Sequence, residues 1–235
     1  MLCFTEYLDV TMITKAIEDY LKIIFKLADS NDGVVNTNAI AERLKISQAS
    51  VTGMLKKLAE LKFIVHTPYR GVELTTLGRE VALEIIRHHR LLELYLARAL
   101  GYSWDRVHDE AEKMEHVISE EFEDRMAEFL GEPTNDPHGA PIPSKDGNIK
   151  ERSLETLSSV EVGQRVQIKQ VSDRNPEMLR YLANIGIYPE VVIDVIEKAP
   201  FDGPLLVKIG NEKHYLGQGL TNNIYVSQTI SNEIN

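Results

Sequence analysis

The first 61 residues contain three stretches in which apolar side chains recur at helical spacing. The first runs from Ile17 to Ala28, the second covers residues 37–44, and the third covers residues 48–61. Ser47 has a side chain that suits a helix N-cap and stands immediately before the third stretch. The pattern therefore predicts three helices, with a tight turn between the second and the third.

Two short apolar runs follow, at residues 63–66 and 72–75, and the Pro68–Gly71 segment between them is typical of a turn. A hairpin after two helices joined by a tight turn predicts a winged helix-turn-helix, whose recognition helix enters the major groove of DNA. Small polar side chains near the start of that helix allow a close approach to DNA, and basic side chains suit phosphates. The residues expected to face DNA are Ser47, Gln48, Ser50, Thr52, Gly53, Lys56, Lys57 and Arg70. A helical bundle with a solvated lysine face, or a winged helix that binds protein, remains open at this point.

The residue pattern changes twice along the rest of the chain, from helical to proline-rich and then to β-like. A long helix is predicted from about Leu77 to Ala99, and a further helix from Ser103 to Leu130. Residues 131–147 contain four of the nine prolines, so this segment cannot be helical and forms a domain boundary. Beyond it, short β-like runs at close spacing predict a small barrel. The expected fold is α+β with three domains, at residues 12–76, 77–147 and 154–228.

Composition changes this picture in three ways. The 36 acidic and 26 basic residues give a net charge of -10, which alone argues weakly against nucleic acid, but residues 45–70 hold five basic residues and one acidic residue. A single cysteine, Cys3, excludes an internal disulfide framework and a cage of several thiolates. The sequence lacks an apolar run of about 18 residues and a convincing secretory signal, so we expect a cytoplasmic protein without a membrane span.

The acidic stretch carries candidate metal ligands. Glu112, Glu115 and His116 stand at helical spacing, so one face would present two carboxylates and an imidazole. His89 and Glu93 form a similar pair on the preceding helix, and a neighbouring imidazole, His108, could face across to it. Oxygen and imidazole donors without sulfur favour Mn²⁺ or Fe²⁺ over Cu(I) or structural zinc. Because no zinc-protease motif or phosphate-binding loop is present, the pattern favours sensing over catalysis.

These motifs, in this order, resemble the diphtheria-toxin-repressor family of iron- and manganese-dependent transcriptional repressors. The resemblance covers nearly the whole chain from Met12. The segments that carry it are Glu18–Leu21, Ile40–Leu44, Ser50–Thr52, Leu74–Arg79, His88–Glu93, Val107–Ala111, Glu115–Val117 and Pro137–Pro143.

The resemblance implies a helical dimerisation domain, a C-terminal SH3-like (FeoA-like) domain and two metal sites per chain. The primary site would contain Asp19, Glu112, Glu115 and His116. The ancillary site would contain His89, Glu93 and His108, completed by C-terminal residues, for which Asp173 and Glu177 are the candidates. An iron-type member would have methionine at position 19 and cysteine at position 112, so the carboxylates here resemble the manganese-responsive branch. Lys22 stands where members with a compact two-metal site have a carboxylate, which favours two separate sites.

The predicted function is a homodimeric, metal-dependent DNA-binding repressor that controls genes of metal-ion homeostasis and is not an enzyme. Binding of Mn²⁺, or of Fe²⁺, would order the DNA-binding domains on a double-stranded operator. One alternative is a metal-dependent hydrolase with Glu112 or Glu115 as the base. Another is a metal-buffering or protein-interaction module in which the winged helix serves as an adaptor.

Overall fold

The structure is a computed structural model that describes residues 13–28, 33–67, 70–150 and 152–228. It divides into two compact units. The first contains the described residues up to His88 together with residues 115–117 and 143–149, and the second contains residues 89–114, 118–142 and the described residues from 150 onward. Within the described ranges, no helix is both long enough and apolar enough to cross a membrane.

The first unit contains the predicted winged helix-turn-helix. Its elements are α1 (Lys15–Ala28), α2 (Thr37–Leu44), α3 (Gln48–Glu60), β1 (Ile64–Thr67), β2 (Gly71–Leu74) and the first half of α4 (Thr76–Leu100). The strands are antiparallel, with Ile64 opposite Leu74. Apolar faces of the helices meet the hairpin in one core, which includes Ile17, Leu21, Ile24, Ile40, Val51, Leu55, Leu58 and Phe63.

The β1–β2 hairpin is the wing of this domain, and one pair of backbone contacts attaches it to the segment before α2. Val35 and Val72 exchange backbone hydrogen bonds of 2.9 and 2.8 Å. Gly71 has φ +131°, and a Cβ atom built on it would lie 2.5 Å from the carbonyl oxygen of Val35. Because a side chain would disrupt this approach, the start of β2 requires glycine.

The second unit contains the rest of α4, followed by α5 (Val107–Met114) and α6 (Glu120–Phe129). The prediction of one helix from Ser103 to Leu130 is wrong, because the chain leaves the helix after Met114. Ser119 starts α6 anew by accepting a hydrogen bond from the backbone N–H of Phe122. Ser119 thus provides the new N-cap that separates α6 from α5.

The C-terminal part forms one six-stranded antiparallel sheet. Its strands are β3 (Glu155–Thr156), β4 (Arg165–Val171), β5 (Val192–Lys198), β6 (Leu205–Ile209), β7 (Glu212–Leu216) and β8 (Ile224–Gln228), joined by α7 (Pro176–Asn184) and α8 (Gln218–Thr221). The strand order is β3-β8-β4-β5-β6-β7, and over residues 152–228 β3 and β7 do not pair, so the sheet is open. The predicted small SH3-like domain is confirmed, although its sheet does not close into the small barrel that the pattern predicted.

The proline-rich segment packs along β4 within the second unit. The carbonyl oxygen of His138 accepts a hydrogen bond from the backbone N–H of Val171 at 2.9 Å. A Cβ atom built on Gly139 would lie 2.0 Å from the carbonyl oxygen of Lys169, so the two backbones approach as closely as glycine permits. This contact holds His138 in a buried position.

Candidate metal centres

A first cluster of metal-ligand side chains lies in the first unit. Asp19, on α1, directs Oδ1 to within 3.0 Å of Nε2 of His116, and Oε1 of Glu115 lies 3.1 Å from the same nitrogen. The Glu115 side chain is fully buried. Three of the four residues predicted for the primary site are therefore brought together, although Asp19 lies far from Glu115 and His116 in the sequence.

The turn after α5 brings Glu115 and His116 to this position. Both residues follow the last residue of α5, so the helical spacing used in the prediction does not describe them. Nδ1 of His88, on α4, lies 3.1 Å from the carbonyl oxygen of Glu115 and contacts the backbone of this turn. The turn is thus held by a buried side chain of a neighbouring helix.

Sequence reasoning did not assign a site role to Glu18. Its Oε2 accepts a hydrogen bond from Nδ1 of His116 at 2.5 Å. A carboxylate on one ring nitrogen fixes the imidazole and directs the other nitrogen toward a metal. Adjacent residues of α1 therefore contact both nitrogens of His116, through Glu18 and Asp19. Spacing alone could not indicate this, since a carboxylate next to a ligand is common on solvated helices.

The donor set of the first cluster fits a hard divalent cation. Nε2 of His116 is buried and, among the described residues, makes no hydrogen bond despite its short distances to Asp19 and Glu115. Two carboxylate oxygens and one imidazole nitrogen converge on this position, a set that suits Mn²⁺ or Fe²⁺. When bound, such an ion supplies the positive charge that offsets the repulsion between the carboxylates of Asp19 and Glu115.

A second cluster lies in the second unit. Nε2 of His89 and Nδ1 of His108 lie 3.1 and 3.2 Å from Oε1 of Glu93. Oδ2 of Asp173, on the segment between β4 and α7, lies 3.5 Å from Nδ1 of His108. Four of the five residues predicted for the ancillary site are therefore close enough to share one ion.

Two further predicted ligands, Glu112 and Glu177, do not lie in the clusters to which the sequence assigned them. Oε1 of Glu112 lies 3.9 Å from Nδ1 of His89 and 3.8 Å from Nε2 of His108, beside the second cluster. Glu177 is exposed in the first turn of α7, where Asn175 caps the helix, and it joins neither cluster.

Two buried residues extend the second cluster and were missed by sequence reasoning. Oε2 of Glu93 lies 3.6 Å from Nδ1 of His138, and within the part of the chain that the structure describes neither atom has a hydrogen-bond partner. Asp136 groups with them and accepts backbone hydrogen bonds from His138 and Ala140 at 2.8 and 2.9 Å. Both residues lie in or beside the segment Pro137–Pro143, which carries part of the family resemblance, but nothing in the sequence relates them to Glu93.

The charges of this buried group depend on one another. Burial opposes ionisation of Glu93, but the imidazoles of His89, His108 and His138 hold its pKa well below the usual range. Burial, together with the negative charge of Glu93, raises the pKa of Asp136 to about 6. Burial opposes the charged form of His138, yet the Glu93 carboxylate outweighs it and raises the pKa of His138 to about 9. A protonated imidazole thus compensates the carboxylates in the metal-free chain.

The predicted DNA-binding residues lie on and beside α3. Ser47 caps this helix by accepting a hydrogen bond from the backbone N–H of Ser50 at 3.2 Å. The side chains of Gln48, Lys56 and Lys57 are exposed, as is Gly53, and Thr52 is half-buried with its hydroxyl donating to the carbonyl oxygen of Gln48. Arg70 is exposed immediately before β2, whereas Pro68 and Tyr69 of the predicted turn lie outside the described residues.

Comparison with known proteins covers most of the chain with three domain families. Residues 12–72 match the family described as "Iron dependent repressor, N-terminal DNA binding domain". Residues 75–144 match "Iron dependent repressor, metal binding and dimerisation domain", and residues 155–228 match the FeoA domain.

Whole-chain comparison finds relatives that match over most of their length. The iron-dependent repressor IdeR of Mycobacterium leprae is 31% identical over 208 residues, which cover 83% of this chain and 89% of the relative. The diphtheria toxin repressor of Corynebacterium efficiens is 32% identical over 193 residues, which cover 77% and 83%. Among solved structures, a manganese-dependent transcriptional repressor in complex with manganese aligns with a TM-score of 0.84 and 36% identity, covering 91% of this chain and all of that one.

A winged helix-turn-helix combined with clusters of buried carboxylates and imidazoles defines the class of metal-dependent, DNA-binding transcriptional repressors. The chain belongs to the family of the diphtheria toxin repressor and the iron-dependent repressor IdeR. This family consists of repressors rather than enzymes and has DNA-binding and dimerisation domains, so the comparisons give no support to a hydrolase.

Proposed function

We propose that the protein is a homodimeric repressor that binds a double-stranded operator only when a divalent ion occupies the first cluster. The observation that carries this proposal is the meeting of Asp19 with Glu115 and His116. Asp19 belongs to α1, whereas Glu115 and His116 belong to the turn that connects α5 to the region before α6. An ion bound here joins the DNA-binding domain to a segment of the domain that dimerises.

The position of α1 matters for DNA because α1 contacts α2 and β2. An ion that holds α1 therefore restricts the helix-turn-helix and the wing together. Since the ion stabilises only the conformer in which its ligands are assembled, it shifts the population toward that conformer. In a homodimer, this conformer would hold two recognition helices about 34–36 Å apart, the spacing of successive major grooves.

The proposed activating ion is Mn²⁺, with Fe²⁺ as the second candidate. Both clusters offer carboxylate oxygens and imidazole nitrogens, and among the described residues no cysteine belongs to either cluster. The similar structure that contains manganese supports the same choice. We propose two sites per chain, the first with Asp19, Glu115 and His116 and the second with Glu93, His108 and Asp173 among its ligands.

The proposal retains three domains, at residues 12–76, 77–147 and 154–228, and a cytoplasmic location, because the protein acts on DNA. Its target genes would be those of metal-ion homeostasis, since the signal is a metal ion. The exposed face of α3 carries no arginine, so the bidentate contact of arginine with guanine is absent from this face. Discrimination per base is therefore modest and accumulates over two half-sites.

The test is a selection from random-sequence DNA duplexes by the full chain, with and without Mn²⁺ at fixed ionic strength. We expect two related half-sites, about one helical turn apart or a multiple of it, to be enriched only in the presence of Mn²⁺. Equal enrichment without Mn²⁺ would contradict metal activation. Enrichment of a single half-site would contradict the dimer.

A further inference from the structure

A buried lysine lies inside the first cluster. Nζ of Lys22, three residues after Asp19 on α1, lies 2.5 Å from Oε1 of Glu115. Only 5% of the Lys22 side chain is exposed, and none of the Glu115 side chain is. Because a buried charge is retained only with close compensation, this ammonium is a positive charge built into the cluster.

The same oxygen of Glu115 faces the position expected for the ion. Oε1 lies 3.1 Å from Nε2 of His116, the buried nitrogen that makes no hydrogen bond in the described chain. The ammonium of Lys22 and a divalent ion would therefore both draw on Oε1. An oxygen that already neutralises an ammonium is a weaker donor, and two positive charges a few ångströms apart repel each other.

We propose that Lys22 sets the ion concentration to which the repressor responds, by competing with the divalent ion for Oε1 of Glu115. The inference rests on the proposed function of the first cluster as the activating site. In the metal-free chain the ammonium holds Glu115 in place, and in the loaded chain it weakens binding of the ion. Lys22 thereby stabilises the empty site and raises the threshold of the sensor.

The test measures Mn²⁺ binding by equilibrium dialysis of the full chain. Lys22→Met keeps the length and the apolar stem of the side chain and removes the charge. We expect its Kd for the first site to fall by about tenfold or more, while the metal-free variant unfolds at a lower temperature than the wild type. Lys22→Arg keeps the charge and should bind Mn²⁺ within about threefold of the wild type. Lys15→Met removes an exposed charge from the same helix and is the matched control.

A Kd for Mn²⁺ that is unchanged or higher in Lys22→Met would overturn the inference. If Lys22 only supports the fold, its loss displaces Glu115, and Lys22→Met binds Mn²⁺ as weakly as the wild type or more weakly. If Lys22→Met does not fold, Lys22→Gln takes its place, because glutamine keeps a hydrogen-bond donor but no charge. A Kd for Mn²⁺ below that of the wild type then supports the inference, and an equal or higher Kd overturns it.

Failure of the proposed function gives a different result. Wild type and Asp19→Asn would then bind the same number of Mn²⁺ ions with the same affinities, which overturns both proposals. An Asp19-dependent site whose affinity is unchanged in Lys22→Met overturns the threshold role alone.

Discussion

The carboxylate of Glu18 accepts a hydrogen bond from Nδ1 of His116 at 2.5 Å, across 98 positions of the sequence. This contact orients the other ring nitrogen toward Asp19 and Glu115. The orientation of one imidazole therefore depends on a residue that is not itself directed at the metal position.

We expect Glu18→Gln to bind Mn²⁺ at the first site about 10- to 100-fold more weakly, because the imidazole loses its orienting charge and some of its basicity. Isothermal titration calorimetry of the full chain measures this change. Glu60→Gln, which removes an exposed carboxylate at the end of α3, is the control and should leave the affinity unchanged. Equal Mn²⁺ affinity in Glu18→Gln and wild type would show that Glu18 has no such role.

Most of the fold could be predicted because its periodic patterns are strong. The helices of the first unit begin and end within two residues of the predicted positions, and the Ser47 cap is confirmed. The break after Met114 was missed because acidic residues continue through it, and composition does not reveal where a helix stops. The cap at Ser119 is a local signal that could have indicated the break.

The candidate site was predictable only where ligands follow a helix or a motif. His89 and Glu93 share a helix at a spacing of four residues, and the structure brings them together with His108. Asp136 and His138 lie in an irregular segment, so no periodicity relates them to Glu93. Their place in the cluster depends on the packing of that segment against β4, which only the folded chain reveals.

The second site should release a proton when it binds Mn²⁺. The pKa of His138 is raised from 6.5 to about 9, so between these values the folded, metal-free chain holds a proton that the unfolded chain does not. This proton contributes stability below about pH 6.5, and the contribution disappears as the pH rises through about 9. An ion that binds Nδ1 of His138 must displace the proton from this imidazole. The affinity of the second site for the ion therefore rises with pH up to about 9.

Calorimetry at pH 8 in two buffers with different ionisation enthalpies measures the released protons. Asp19→Asn serves as the background, so that the second site dominates the signal. We expect about one proton per ion at this site, and we expect Asp19→Asn combined with His138→Gln to release correspondingly less. An affinity independent of pH between 7 and 9 would exclude His138 from the site.

The two exposed lysines of α3 should contribute to DNA affinity through phosphate contacts. If Lys56 and Lys57 each neutralise one phosphate, replacing one by alanine reduces the slope of log K against log salt concentration by about 0.9. Fluorescence anisotropy with the selected duplex, at several salt concentrations and saturating Mn²⁺, gives this slope. Lys213→Ala, an exposed position on β7, is the control, and a lysine variant with the wild-type slope would remove that residue from the interface.

The most direct test of metal activation compares wild type with Asp19→Ala in DNA binding at increasing Mn²⁺ concentration. Sedimentation of both proteins establishes that the dimer persists. We expect Mn²⁺ to strengthen DNA binding by the wild type but not by Asp19→Ala, because in this variant α1 loses its ligand to the ion shared with Glu115 and His116. Undiminished Mn²⁺-dependent DNA binding by a dimeric Asp19→Ala protein would contradict it.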